Sequence, residues 1–465
     1  HKGGYIPFYF DITDFLKQHE ENELLVRVND PTDKGRQEHG KQVLKPWGVN
    51  YTAVSGIWQT VWLEYVPSTR IERCHFVSDI NKNTLRGYLT CVNLRGNETV
   101  SVSLKDPEEK NFEFKLENLG DICLEIPAAK LWSPDHPNIY RCEIRLFNTN
   151  QEIDKIDTYA IFRKIGLEKD NDGITRIFLN NRPLFQYGPL DQGYWPDGLY
   201  TPPTDEAMKF DIEIAKDLGF NMIRKHIKVE PARWYYYCDL LGILVWQDMP
   251  NGGSQLAGVL SQFVFHSKLS LTFGRKNSEV QNQYYKELTE LVEHLKFFAC
   301  IVMWVPFNEG WGQFNTERAV NLVAELDSTR LINNASGWVD FKVGHVHDIH
   351  IYPGPGMPAL EKNRAAVNGE FGGLGYVVPD HNWKTKLKWA YRKYKNMQEL
   401  SDNYEKLMLR LQKLIKQGLS AAVYTQITDV EGEVNGLLTY DREIFKIEPK
   451  NLRKWHSSLY SQINF

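Results

Sequence analysis

The sequence predicts a multidomain chain in which β-sandwich units precede a (β/α)8 barrel. Three observations carry this. Its 465 residues exceed one ordinary domain. The first 165 or so alternate polar and apolar residues between turns, and from about Gly166 short apolar runs alternate with helical periodicity.

In the β half, Glu23-Leu24-Leu25-Val26-Arg27-Val28 and Thr60-Val61-Trp62-Leu63-Glu64-Tyr65-Val66 read as strands, because period-two alternation puts the apolar side chains on one sheet face. Asn29-Asp30-Pro31 and Asp106-Pro107 supply turns at sandwich-like intervals. Pro67-Ser68-Thr69 marks a joint. A first unit over residues 1–67 and a second over 68–164 are therefore expected, the second closing near Leu131-Trp132-Ser133-Pro134-Asp135.

In the remainder, residues 165–465, Thr204 caps a helix with Asp205 and Glu206 in its first turn. Met208, Ile212, Ala215 and Leu218 line one face and Gly219 stops it. The strand-like Phe220-Asn221-Met222-Ile223-Arg224 follows, then a helix near Pro231 to Leu241 and the strand Ile243-Leu244-Val245-Trp246. Eight strands are expected near 183–187, 220–225, 243–248, 300–307, 331–335, 346–352, 365–370 and 420–426, with further helices over 283–297, 315–327, 399–417 and 448–460. Eight β/α units in about 290 residues argue for a barrel, although no helix is evident after strand five. A doubly wound open sheet is the competitor, but no GxGxxG or Walker sequence follows any of these strands. The long 251–280 insertion carries no readable pattern.

A net charge of -4 with 25% charged residues gives no reason to expect nucleic acid or an anionic membrane as partner, and no apolar run approaches the ~20 residues that span a bilayer. The six cysteines lack CxxC or CxxH spacing, so neither a zinc site nor a disulfide framework is expected, and no cofactor is implied. Thirteen Trp and 23 Tyr offer, besides core packing, flat platforms for the C–H faces of sugars. The chain opens at His1 with no visible signal peptide, and a native start before it is expected. That leaves the compartment open between periplasmic or secreted and cytoplasmic. The oligomeric state is also open, a homo-oligomer included.

In a barrel of this kind functional groups lie at the C-terminal ends of strands. The rule selects Arg224, His226, Asp248, Asn308, Glu309, Tyr352, Glu370, Asp429 and Glu431. Two stretches are apolar right up to an acid: Ile301-Val302-Met303-Trp304-Val305-Pro306-Phe307-Asn308-Glu309 and Ala365-Ala366-Val367-Asn368-Gly369-Glu370. A carboxylate there is costly unless paired or useful. Two carboxylates facing one cleft fit glycosidic bond cleavage, one protonated to donate to the leaving oxygen and one ionised to attack the anomeric carbon. Burial and the neighbouring charge would raise the donor's pKa, while Arg224 or a Tyr hydroxyl would keep the nucleophile ionised. The alternative is that either Glu is half of a structural ion pair.

A rival cluster is His345-Val346-His347-Asp348-Ile349-His350, whose residue types suit a metal. Strand alternation puts His345 and His347 on one face and Asp348, His350 and Tyr352 on the other, so the three histidines do not converge. His350 and Tyr352 are expected to line the cleft.

At Asn308-Glu309 the sequence resembles glycoside hydrolase family 2, the family of β-galactosidases, β-glucuronidases and β-mannosidases, and the resemblance runs over essentially the whole chain. Gly3-Gly4-Tyr5 through Asp11-Ile12-Thr13 resembles the later part of that family's sugar-binding jelly-roll domain, which is therefore expected to be incomplete at its N-terminus. Ser55-Gly56-Ile57-Trp58-Gln59-Thr60-Val61-Trp62-Leu63-Glu64 is similar to its closing strands. Leu131-Trp132-Ser133-Pro134-Asp135 with Asn138-Ile139-Tyr140 resembles the end of an immunoglobulin-like middle domain, and Phe162-Arg163-Lys164 the entry to the barrel. The resemblance implies a partial jelly-roll sandwich, an immunoglobulin-like sandwich and a TIM-barrel catalytic domain. It implies Glu309 as acid/base, Glu370 as nucleophile, Asn308 on the sugar's 2-hydroxyl and Arg224 supporting the nucleophile.

The sequence departs from the family pattern in three places. The approach to the Asn-Glu pair reads Trp304-Val305-Pro306-Phe307. The first barrel strand carries Gly188-Pro189-Leu190-Asp191 in place of a His-containing motif, which makes Asp191 a subsite candidate. The Asn-x-Lys element by which the family's glucuronidases grip a uronic acid is not found. Tyr424-Thr425-Gln426-Ile427-Thr428-Asp429-Val430-Glu431 puts acids near the rim, which suits neutral-sugar hydroxyls. Trp311 and Trp338 are candidate stacking platforms, and His226 and Asp248 candidate site residues. The expected activity is that of a retaining exo-β-glycosidase acting on an oligosaccharide or glycoside, with galactose as the first guess. A β-glucuronidase or β-mannosidase is the alternative within the family, and a non-catalytic carbohydrate-binding protein the alternative from another class.

Overall fold

The computed structural model describes residues 1–116, 121–252, 275, 277–384 and 388–462, so most of the 251–280 insertion lies outside the described residues. Runs buried along their whole length, such as Ile301–Val305 and Leu419–Thr425, form parallel strands, the arrangement in which both faces of a strand are covered. There are eight in the barrel: Gln186–Asp191, Met222–Lys225, Leu244–Asp248, Ile301–Val305, Leu331–Ile332, Val346–Ile351, Ala365–Gly372 and Leu419–Thr425. They pair in the order five-four-three-two-one-eight-seven-six, so the barrel is nearly closed, with no ladder between strands five and six among the described residues.

Helices follow strand one (Asp205–Asp217), two (Ala232–Leu241), three (Ser278–Leu295), four (Thr316–Leu326), seven (Met397–Gln417) and eight (Pro449–Tyr460). Among the described residues none follows strand five or six, and none is long and apolar enough to cross a membrane. The Thr204 hydroxyl caps the first helix, accepting from the Ala207 N–H at 3.1 Å, and Met208, Ile212 and Ala215 are buried on its inner face. Gly219 follows that helix at φ 87°, the left-handed conformation that ends helices.

The first barrel strand is displaced from the expected 183–187 to Gln186–Asp191. Pro183 instead pairs with Phe178, closing a small antiparallel sheet of Ile165–Lys169, Thr175–Leu179 and Arg182–Pro183. One apolar stretch thus serves two sheets in succession, and periodicity does not mark the switch.

Ahead of the barrel, seven antiparallel strands among the described residues form two sheets. One has the order Arg70–Asp79, Thr84–Val92, Asp121–Glu125, the other Asn111–Leu116, Glu98–Lys105, Tyr140–Asn148, Gln151–Ala160. Alternate residues of Glu98–Lys105 are buried, and Val100, Val102, Leu104, Ile144 and Leu146 share a core with Leu85, Ile122 and Leu124 of the opposite sheet. The sandwich docks where the barrel strands begin. Arg163, buried, donates to the carbonyls of Ala299 (2.9 Å), Ile301 (3.0 Å) and Thr329 (3.0 Å). The Trp132 indole N–H donates to the Asp239 carbonyl, and the Tyr159 hydroxyl to the Asp239 carboxylate.

In residues 1–67 the strands present are the parallel two-residue pair Gln42–Val43 and Tyr51–Thr52. The segments 23–28 and 60–66, expected as strands, are not in strands, and Leu25 and Leu63 are 88% and 83% exposed. A strand is held by the ladder of its neighbours, and here neither segment has one. The short pair reaches the barrel mouth, where the Gly40 N–H donates to Asn251 O at 2.9 Å and the Thr52 N–H to Glu431 Oε1 at 2.8 Å.

Candidate active site

Arg224, in barrel strand two, is fully buried, and a guanidinium taken out of water must satisfy all five of its N–H donors. It does so at the strand ends. Nε and Nη2 reach the two oxygens of Asp248 at 3.0 and 2.9 Å, and Nη2 also reaches Asn308 Oδ1 at 2.8 Å. Nη1 reaches Gly369 O at 3.0 Å and Glu370 Oε1 at 3.2 Å. One side chain therefore ties strands two, three and seven to the turn after strand four. Asp248 Oδ2 also meets His226 Nδ1 at 2.8 Å.

Glu309 leaves strand four in a left-handed conformation, φ 52°, that a residue with a Cβ adopts at a cost. Its N–H donates to Ser336 O at 2.8 Å, and its carbonyl accepts from the Trp338 indole at 2.9 Å. His350, from strand six, stands between the acids: Nδ1 is 2.8 Å from Glu309 Oε1 and 3.5 Å from Glu370 Oε2. The far nitrogen, Nε2, is 2.7 Å from Ser336 Oγ, which itself lies 2.6 Å from Asp348 Oδ2. With the Ser336 hydroxyl proton directed at Asp348, its oxygen accepts from His350 Nε2–H, so Nδ1 and Glu309 face each other across one proton.

The two acids differ in electrostatics. Burial and the Glu370 charge push the Glu309 carboxyl up, with His350 opposing. Burial pushes Glu370 up as well, but His350, His226, Arg224 and the Tyr352 hydroxyl outweigh it and hold the group at about 2. For His350, burial favours the neutral ring, but Glu370 and Glu309 raise its pKa above the ordinary value. The Tyr352 hydroxyl donates to Glu370 Oε2 at 2.6 Å and lies 2.8 Å from Thr425 Oγ1, and its ring stacks on Tyr391 at 3.6 Å.

Of the residues singled out from the sequence, Glu309, Glu370, Asn308, Arg224, His226, Asp248, His350 and Tyr352 come together. Trp338 flanks them, half-buried, its ring edge-on to His350 at 5.7 Å. Trp311 is half-buried in the turn that carries Glu309, its N–H bonded to Asn308 O at 2.9 Å. The other three acids have protein partners on both oxygens. Asp191 accepts from Lys225 at 2.5 Å and from the Gly193 N–H at 2.8 Å. Asp429 accepts from Lys446 at 2.6 and 2.7 Å. Glu431 accepts from Thr52 and Lys384. These contacts make them braces of the rim.

The histidines of 345–350 diverge as alternation predicts. His345 Nδ1 accepts from the Ile332 N–H, His347 pairs with Glu361, and His350 joins the Glu309–Glu370 dyad. Glu309, His350 and Glu370 each offer a ligand atom within 4.8 Å of the others, the one set near the dyad, among the described residues, that can hold a cation. Sequence reasoning weighed Asp348 only within a metal cluster, and missed Ser336, Tyr391 and a polar group of Tyr51, Glu433 and Asn435, in which the Tyr51 hydroxyl and Asn435 Nδ2 both donate to Glu433. Glu433 lies two residues past the acids chosen at strand eight, whereas Tyr51 has no local signal.

Two family models match the chain: "Glycosyl hydrolases family 2, TIM barrel domain" over residues 203–365 and "Glycosyl hydrolases family 2" over 69–163, together more than half of it. A β-galactosidase of Thermoanaerobacter pseudethanolicus is 25% identical over 346 residues, 71% of this chain and 42% of that protein. A putative β-glucuronidase of Formosa agariphila is 26% identical over 259 residues, 54% of this chain and 30% of that one. The chain therefore spans less than half the length of either relative. Among solved structures, a Parabacteroides merdae β-glucuronidase superimposes with a TM-score of 0.66 at 19% identity, covering 87% of this chain and 54% of the other. The β-glucuronidase of Dictyoglomus thermophilum gives 0.65 at 16% identity, covering 84% and 69%. At these identities the superpositions speak to fold, and together with the matched models they lead to one conclusion: the chain belongs to glycosyl hydrolase family 2.

Proposed function

We propose that the chain is a retaining exo-β-glycosidase with a β-galactosidase-like sugar site, Glu309 serving as acid/base and Glu370 as nucleophile. The observation that carries this is the split between two carboxylates in one cleft, one pushed toward its protonated form and the other held ionised at about 2. Oxygens of the two lie within 4.8 Å of each other. Retaining enzymes hold their carboxyl groups roughly 5–5.5 Å apart, whereas inverting enzymes leave roughly 6.5–9.5 Å for a water.

In the first step the proton shared by Glu309 and His350 passes to the glycosidic oxygen. Glu370 attacks the anomeric carbon, and the C–O bond breaks with its electron pair going to the leaving group. In the second step Glu309 takes a proton from water, the water oxygen attacks the same carbon, and Glu370 is released with net retention. Arg224 and Tyr352 occupy one oxygen of Glu370 each, which orients the carboxylate as well as keeping it charged. Arg224 also holds the Asn308 carbonyl oxygen, which turns the amide donors toward the sugar's 2-hydroxyl. The Glu433 carboxylate at the mouth favours a neutral sugar over a uronate through charge repulsion. The names of the relatives, β-galactosidase and β-glucuronidase, bracket the choice.

The test is azide rescue on an activated aryl β-glycoside. Glu370→Ala should yield the α-glycosyl azide and Glu309→Ala the β-glycosyl azide. A β product from Glu370→Ala overturns the nucleophile assignment. A folded wild-type protein that cleaves none of the nitrophenyl β-galactoside, β-glucuronide, β-mannoside, β-glucoside and α-arabinopyranoside overturns the glycosidase reading.

A further inference from the structure

Lys41 brings a cation to the dyad from outside the barrel. The residue is 6% exposed and immediately precedes the short strand Gln42–Val43. Its position is set on both sides: the Gly40 N–H donates to Asn251 O at 2.9 Å, in the segment after barrel strand three, and the Tyr51 N–H donates to Lys41 O at 2.9 Å. The ammonium sits 5.6 Å from the centre of the Tyr51 ring and, among the described residues, has neither a hydrogen bond nor an ion pair. Burial lowers its pKa, and the charges that pull the other way are the carboxylates of Glu433, Glu370 and Glu309. An ammonium with no protein acceptor beside it has its donors open to a ligand that brings one.

Glu433 is the matching half. It is 2% exposed, with one oxygen accepting from the Tyr51 hydroxyl and the other from Asn435 Nδ2 at 3.0 Å. A carboxylate has about four acceptor sites, so each oxygen retains capacity for one more donor. Tyr51 thus touches both: its ring faces the Lys41 ammonium and its hydroxyl holds Glu433.

We infer that Lys41 and Glu433 together bind a hydroxyl of the sugar being released, the ammonium donating to the hydroxyl oxygen and the carboxylate accepting the hydroxyl proton. The inference rests on the glycosidase reading above and adds to it the residues that choose the sugar. A hydroxyl satisfies both partners at once. A uronate carboxylate satisfies Lys41 but confronts Glu433 with a like charge, so the pair selects a neutral pyranoside.

The experiment measures kcat and KM of wild type, Lys41→Met and Glu433→Gln on the nitrophenyl β-glycoside cleaved fastest, on its 4-deoxy and 6-deoxy analogues, and on the β-glucuronide. Lys41→Arg replaces Lys41→Met if the latter melts early. Wild type should lose about 10- to 100-fold in kcat/KM on one deoxy analogue. Lys41→Met should lose a comparable factor on the parent glycoside and nothing further on that analogue. A change within about twofold for Lys41→Met, an equal loss on every analogue, or a preference for the glucuronide overturns the inference. If wild type cleaves nothing, the glycosidase reading falls and takes this one with it. If wild type is active and the variants match it, the Lys41–Glu433 assignment alone falls.

Discussion

The Tyr352 hydroxyl donates to Glu370 Oε2 at 2.6 Å, and the Tyr352 ring lies flat on Tyr391, so the donor is held from both ends. With Arg224 on the other oxygen, the carboxylate has a donor on each side and little freedom to rotate.

Tyr352→Phe should therefore lower kcat/KM by about 10²- to 10³-fold, the usual cost of one fixed donor at a developing or resting charge. The hydroxyl stabilises the ionised form, so its loss raises the Glu370 pKa from about 2 and moves the acid limb of the pH–kcat/KM profile to higher pH. A pH titration of kcat/KM checks both. An acid limb that stays in place means that Tyr352 acts through packing alone.

Glu309→Gln should separate the two proton-handling steps. Burial and Glu370 raise the Glu309 pKa, so wild-type kcat/KM falls on the alkaline side as the proton shared with His350 is lost. A dinitrophenyl glycoside needs no protonation on leaving. Pre-steady-state release of its phenol by the variant should persist and lack the alkaline limb, while steady-state turnover drops by about 10²- to 10⁴-fold. A retained alkaline limb would assign that ionisation to another group.

Glu287 offers a test on stability. Burial and the neighbouring Glu38 raise its pKa to about 7 in the folded chain. A folded-state acid with a raised pKa holds its proton more tightly than the unfolded chain does. Its favourable contribution is therefore complete at low pH and is lost as pH rises from near 4 through 7. Glu287→Gln should raise thermal stability at pH 8 by on the order of 2 kcal/mol and change it little at pH 4. Equal shifts at both pH values count against this.

Arg163 joins the sandwich to the barrel through three carbonyls and no carboxylate. Burial, with the neighbouring Arg330 charge, brings its pKa down to about 9. Arg163→Met takes the donor from the Ala299 and Thr329 carbonyls, while Ile301 O keeps Arg330 Nε at 3.0 Å, and should cost on the order of 3 kcal/mol in a urea titration. Activity per folded molecule should hold, because the site lies at the opposite end of the strands. Early proteolytic release of the barrel from the variant is the companion measurement.

The barrel was readable because its signals are local. Thr204, the Met208–Ile212–Ala215 face and Gly219 announce one helix within sixteen residues, and both acids end apolar runs. The rim was less so. Asp429 and Glu431 are chosen by position at a strand end and Asp191 because it stands in place of a family motif, yet each carboxylate is engaged by the protein, and only three-dimensional neighbours such as Lys225, Lys446 and Lys384 reveal it. Tyr51 meets Glu433 across 382 positions of sequence, and Lys41 reaches the same place from the same segment. No periodicity encodes such a meeting. The same limit applies at 23–28 and 60–66, where alternation describes a strand but does not supply a neighbour.

The left-handed backbone at Glu309 sets stability against activity at a single position. A side chain held there costs roughly 1–2 kcal/mol that glycine would not. A programme of thermostabilisation that replaces strained residues with glycine would be rewarded at position 309 with a tougher protein, and would remove the carboxyl group proposed above as the proton donor.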